Sequence, residues 1–194
     1  MTNRLVLASG SPRRLSLLRE CGLEPVVQPA DIDEGAQEGE AIAEYVIRVA
    51  RAKAETVFDR MSEAERSDVL VLAADTMVVV DRHLCGKPAN FAEACVIWKR
   101  LGGCWHEVWT GVHVISATAA RSTTVNTRVW MEPMTDAQMR FYWESGEPKD
   151  KSGAYALQGL GGRWIRGIQG SYSNVVGLPL VETLSLLNAM GLDC

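Results

Sequence analysis

Ser9-Gly10-Ser11-Pro12-Arg13-Arg14 places two hydroxyls, a glycine and two arginines directly behind the short run Arg4-Leu5-Val6-Leu7-Ala8, apolar after its first residue. The run reads as a buried strand. Ser11 is suited to cap a helix, Pro12 to open it, and Leu15, Leu17 and Leu18 to give it an apolar face. The free N–H groups of a helix start favour an anion, and the guanidinium forks of Arg13 and Arg14 match phosphate oxygens. A plain surface helix is the competing reading, but an ordinary first turn carries Asp or Glu, which complement the helix dipole, rather than two arginines.

Asp75 is the second costly residue, the one carboxylate in the apolar window 69–80. Burying it uncompensated is expensive, so a metal ion, a cation or several donors are expected beside it; an Asp ending a strand at a turn is the alternative. The end of a buried strand is also where α/β sheets place ligands. Lys53 raises the same question from a helix. It shares a stripe with Ile42, Tyr45, Val46 and Val49, so its stem either snorkels to solvent or holds an ammonium for an anionic ligand. If that anion is supplied by a substrate, Lys53→Met should leave stability intact.

Lys87, in Gly86-Lys87-Pro88, is a weaker candidate in a turn. The acidic run Asp31-Ile32-Asp33-Glu34 offers oxygen ligands to a hard cation or is simply a wet surface. His83, His106 and His113 lack metal-ligand spacing and read as packed or edge residues, and the six tryptophans read as core or interface anchors. No P-loop, dinucleotide-binding glycine motif or serine-hydrolase elbow is present.

The elements that must position these groups alternate between strand and helix. Strands are predicted near 5–8, 25–28, 69–80, 107–116 and 122–130. Helices are predicted near 13–20, 40–60, 91–101, 136–145 with Thr135 as cap, and 181–190 stopped by Gly191, with a turn at 81–83 and short strands in the glycine-rich 146–170. The pattern is α/β.

At 194 residues, 47% hydrophobic and 23% charged, the chain suits one well-cored domain spanning 1–194, or two small lobes flanking a cleft. A formal charge of -4 argues against a nucleic-acid coat or a polybasic membrane binder, so phosphate must be met locally. Five cysteines without a C-x-x-C pair fit a reducing compartment rather than a disulfide framework or a zinc site. No apolar run approaches the roughly 20 residues of a membrane span, and no signal peptide is evident, so a cytoplasmic location is expected.

LASGSPRR at 7–14, DE at 33–34, RAKA at 51–54, AADT at 73–76, GKP at 86–88, HEVWTGV at 106–112, GEPKDKSGAYALQG at 146–159 and GSYSNVVGLP at 170–179 resemble, in order, the motifs of the Maf family. The resemblance implies a mixed, twisted α/β sheet with flanking helices and two lobes around a deep cleft, related to the inosine triphosphate pyrophosphatases. It also implies a nucleoside triphosphate pyrophosphatase that requires a divalent cation, Mg2+ first with Mn2+ or Co2+ as alternatives, and a homodimer. Thr76 and Gln158 resemble the branch acting on dTTP and UTP rather than the 7-methyl-GTP branch. The departures are Gly10 where alanine is frequent, Val49 for leucine, Asn90 for an acid and Ser152 for alanine.

On this resemblance Ser9, Arg13, Arg14, Lys53, Lys87, Thr76 and Gln158 bind substrate, Glu34 and Asp75 hold the metal, and Asp75 is also the base that activates water. The alternatives are a pyrophosphatase for modified nucleotides and a nucleotide-binding regulator of septum formation.

Overall fold

The computed structural model describes residues 4–194. Seven strands form one mixed sheet in the order β2-β1-β3-β5-β6-β7, with β4 paired to β3. These are β1 (Arg4–Leu7), β2 (Val26–Val27), β3 (Val69–Val80), β4 (His83–Cys85), β5 (Cys104–Ile115), β6 (Ala120–Met131) and β7 (Ile165–Gln169). The helices are α1 (Pro12–Glu20), α2 (Ile42–Asp59), α3 (Glu63–Arg66), α4 (Phe91–Leu101), α5 (Asp136–Glu144), α6 (Tyr172–Val176) and α7 (Leu180–Ala189). The α/β class and the mixed sheet are as the sequence implies. Contacts group the chain into two compact units, which are described separately.

The first unit comprises the chain up to Asp75 with Thr110–Val125 and Gly177–Cys194. Here β1 lies parallel to both β2 and β3, with Val6 opposite Val71 and Leu7 opposite Leu72. Strands buried on both faces read as unbroken apolar runs, which is why 69–74 has no polar residue. Helix α2 covers them: Ala54, Val57 and Phe58 pack with Val6, Ala8, Val71 and Ala73. It also presses on Gly111 of β5, where a Cβ would lie 2.4 Å from the Val46 carbonyl oxygen. Only glycine permits so close an approach.

The second unit comprises Thr76–Trp109 and Asn126–Val176. Val80 pairs with His83 across Asp81 (φ 46°) and Arg82 (φ 65°), a two-residue hairpin loop with both φ values positive. Such loops suit the twist of the strands and normally select Asn-Gly or Asp-Gly, so Arg82 is an unusual occupant. Its core gathers Trp98, Tyr142 and Trp164, with Tyr142 ring centroids 5.4 Å from Trp98 and 5.0 Å from Trp164. Asn90 caps α4 by accepting the Glu93 N–H at 3.0 Å. Thr135 caps α5 as expected, in a reciprocal capping box with Gln138.

Two local expectations are corrected. Ser11 occupies the N-cap position of α1, but its hydroxyl makes no capping bond. The segment 146–170 holds one strand, β7, preceded by 3-10 turns at Glu147–Asp150, Ser152–Ala154 and Leu160–Trp164. Its glycines take positive φ at Gly146, Gly153 and Gly159, which breaks any run of extended backbone. Ser152 fits without loss where alanine was expected: its hydroxyl donates to the Cys85 carbonyl at 2.8 Å and accepts the Val78 N–H at 3.1 Å.

Candidate active site

Asp75 lies on β3 three residues beyond Leu72, the last residue aligned with β1. It therefore stands past the carboxyl end of β1, level with the segment that leads into α1. Its expected compensating cation is Lys53, whose Nζ is 2.8 Å from Asp75 Oδ1. Both side chains are 9% exposed. Lys53 reaches this position because the stripe predicted for α2 is real: Tyr45, Val46, Val49 and Lys53 are all buried. Its stem does not snorkel to solvent, and the partners of its ammonium are carboxylates of the chain itself.

The second partner is Glu34, with Oε1 at 2.7 Å from Lys53 Nζ. Glu34 is 43% exposed, so the cluster has a buried end at Asp75 and an accessible one. Of the acidic run, only Glu34 reaches the lysine; the Asp33 carboxylate turns back to accept the Gly35 N–H at 2.9 Å.

Three residues that sequence reasoning passed over hold this loop. The Tyr45 hydroxyl donates to the Glu34 carbonyl at 2.9 Å. Arg48 grips Glu40 through two bonds of 2.6 and 2.8 Å and donates to the Gly35 carbonyl at 2.9 Å. The paired geometry resists rotation as a single contact would not. Burial, then the negative charges of Asp75 and Glu34, pushes the Tyr45 hydroxyl up to about 12, so it remains a donor. The available signal was the position of Tyr45 on the buried stripe of α2.

At the helix start, Ser9 rather than Ser11 is the organising hydroxyl. It is buried, accepting the Ser11 N–H at 3.3 Å and Arg14 Nη1 at 3.0 Å. Arg14 is buried too and donates through Nε to the Gly177 carbonyl at 2.8 Å. Burial lowers the Arg14 pKa from its ordinary value, while Asp75 and Glu34 act in the opposite direction. Part of its fork is thus committed to the fold, whereas Arg13 is only half-buried. The structure brings Ser9 to Arg14, and Lys53 to Glu34 and Asp75.

Thr76, Lys87 and Gln158 belong to the second unit. Thr76 is half-buried and follows Asp75 on β3. Lys87 is exposed in the turn between β4 and α4, where the neighbouring Gly86 carbonyl accepts the Gly153 N–H at 3.2 Å. Gln158 is exposed between the 3-10 turns at Ser152–Ala154 and Leu160–Trp164.

Among the described residues no group of three or more His, Cys, Asp or Glu could hold a metal ion. Glu34 and Asp75 nevertheless fit a hard divalent cation of the Mg2+ kind, which commonly takes one or two carboxylates and completes its shell with substrate phosphates and water. His106 and His113 are buried, as expected of packed residues.

The Maf-like protein family model matches residues 4–190. The chain belongs to the Maf family. Among its Maf relatives, a dTTP/UTP pyrophosphatase of Hahella chejuensis is 45% identical over 189 residues, covering 97% of this chain and 93% of the relative. One from Vibrio vulnificus is 45% identical over 186 residues, covering 96% and 98%. One from Myxococcus xanthus is 47% identical over 188 residues, covering 97% and 93%.

Proposed function

We propose that this Maf protein hydrolyses dTTP and UTP to the nucleoside monophosphate and pyrophosphate. The observation that carries the reading is the Glu34–Lys53–Asp75 cluster beyond the carboxyl end of parallel strands, in a chain similar over nearly its whole length to dTTP/UTP pyrophosphatases. Those names favour neither the modified-nucleotide nor the regulatory alternative.

A triphosphate brings several negative charges. Arg13 and Lys87, with the N–H groups at the start of α1, meet its phosphates, and Ser9 and Arg14 keep that start in place. Glu34 and Asp75 would hold a divalent cation, Mg2+ before Mn2+ or Co2+, which when bound supplies charge neutralisation at the phosphates. Asp75 orients the attacking water and accepts its proton. The water oxygen bonds to the α-phosphorus, the bond from that phosphorus to the bridging oxygen breaks, and pyrophosphate leaves with the electron pair. Lys53 compensates both carboxylates and keeps Asp75 aimed. Thr76 and Gln158 meet the polar edge of the pyrimidine.

The five thiols are all unpaired, which supports a reducing, cytoplasmic setting, and no helix among the described residues is long and apolar enough to cross a membrane. The family resemblance supports a homodimer, to be tested by sedimentation. The activity itself is tested with purified protein, a divalent cation and a panel of nucleoside triphosphates. Pyrophosphate and monophosphate should form from dTTP and UTP, and chelation should stop the reaction. Release of orthophosphate and nucleoside diphosphate, or no turnover with any pyrimidine triphosphate, would overturn the assignment.

A further inference from the structure

The segment 156–161, which carries Gln158, is pinned by a carboxylate and a phenol outside the proposed chemistry. Glu147 follows Gly146, whose φ of 77° turns the chain sharply at the end of α5. The Glu147 carboxylate accepts the Tyr142 hydroxyl at 2.6 Å and the Gly161 N–H at 2.9 Å on Oε1, and the Leu160 N–H at 2.9 Å on Oε2. Tyr142 Oη in turn accepts the Ala156 N–H at 3.0 Å. One buried ring and one carboxylate thereby hold both ends of the segment, with exposed Gln158 between the anchors.

The fit leaves no room for a side chain at Gly159 or Gly161. A Cβ on Gly159 (φ 116°) would sit 2.2 Å from Glu147 Oε2, and one on Gly161 would sit 2.4 Å from Tyr142 Oη. The glycines of this segment are thus required by the closeness of its anchors, not by a need for mobility. Burial penalises the Glu147 charge, but the Tyr142 hydroxyl and the Gly161 and Leu160 N–H groups outweigh that penalty and hold its carboxyl below the usual range. Tyr142 is itself fixed between Trp98 and Trp164, so the anchor rests on the core of its unit.

We propose that Glu147 and Tyr142 are positioning residues for base selectivity, holding the Gln158 segment in the one conformation that can discriminate pyrimidines. The inference rests on the reading of Gln158 given under the proposed function. A polar group discriminates only when its direction is fixed, because a mobile amide can re-pair with a wrong base.

The test uses Glu147→Gln, which sets an amide N–H2 against backbone N–H donors, and Tyr142→Phe, which removes the hydroxyl while keeping the ring. Competitive kcat/KM values for dTTP and CTP are measured well below the melting temperature of each variant, alongside amide hydrogen exchange across 156–161. The dTTP-to-CTP ratio should fall at least tenfold, through KM for dTTP with kcat changed less than threefold, and the amides of 156, 160 and 161 should exchange faster while the Trp98 region stays protected. A merely structural role would lower the active fraction for all substrates equally and leave the ratio unchanged. That result, or unchanged exchange in both variants, overturns the proposal while leaving the pyrophosphatase reading in place. A wild-type enzyme without pyrimidine preference overturns the Gln158 reading and this proposal with it.

Discussion

Lys53 Nζ and Asp75 Oδ1 are 2.8 Å apart, joining the apolar stripe of α2 to a buried strand, and each side chain is 9% exposed. A charge pair so enclosed contributes little net stability relative to apolar residues, but losing one partner strands the other.

Lys53→Met should therefore destabilise the fold, by about 3–5 kcal/mol, because Asp75 is left without its cation. This reverses the sequence-based expectation, in which the partner anion came partly from a substrate. Denaturant unfolding provides the measurement, and a double variant, Lys53→Met with Asp75→Leu, should recover most of the loss. Strictly additive losses would show that the two residues are not coupled.

Asp75→Asn keeps the shape of the side chain but removes its proton-accepting ability and its charge. Pyrophosphate release from dTTP should fall roughly 10²- to 10⁴-fold, as for loss of a positioned base. Circular dichroism should show a folded protein, because Lys53 retains Glu34. A variant with at least half the wild-type turnover at saturating substrate and cation would remove Asp75 from the chemistry.

On the proposed role of Gln158, selectivity should separate cytosine from uracil and thymine, because the cytosine amino group reverses the donor pattern that the Gln158 amide would meet. The C5 methyl matters less: it is worth about 1–3 kcal/mol in an apolar pocket, so dTTP and UTP should fall within roughly 100-fold of each other in kcat/KM. Gln158→Glu should erode the preference against CTP. Competitive assays that place CTP or GTP level with UTP would defeat the assignment of Gln158.

Acid should weaken the fold through two buried histidines. Burial pushes His106 down to about 4, and burial followed by Arg51 does the same to His113. Between about 4 and the ordinary value of 6.5 the unfolded chain binds protons that the folded chain does not, so stability is complete above 6.5 and is lost as pH falls towards 4. Each such proton adds about 1.4 kcal/mol per pH unit. Unfolding measured across this window should show a shallower slope in His106→Gln and in His113→Gln, and an unchanged slope in both would contradict the assignment.

Asp75 and Lys53 were each legible as residues needing a partner, since a carboxylate in an apolar strand and a lysine on an apolar helical stripe both violate burial rules. That they satisfy one another was not legible. Strand alternation and helical period fix the face a residue occupies, not the residue opposite it on an element 22 positions away. Glu34 was harder still, because an acidic loop has no periodicity, and its placement depends on Tyr45 and Arg48 reaching back from α2. The long strands and helices were readable from pattern alone. The hairpin at Asp81-Arg82 gave a turn but hid β4, and the 3-10 turns of 146–170 were obscured because Gly159 and Gly161 answer to Glu147 and Tyr142, and Gly153 to Val78, rather than to a local motif.

The bond from Arg14 to the Gly177 carbonyl spans 163 residues of sequence. Ser9 and Arg14 are synthesised well before the acceptor that seats Arg14. A chain interrupted before Gly177 would already carry Glu34, Lys53 and Asp75, but not the latch on the start of α1. Contacts this distant close late in folding, since their loop entropy must be met first. The segment from Ser9 to Arg14 is therefore among the last to be completed, and a chain that stops short of Gly177 lacks the seat of Arg14.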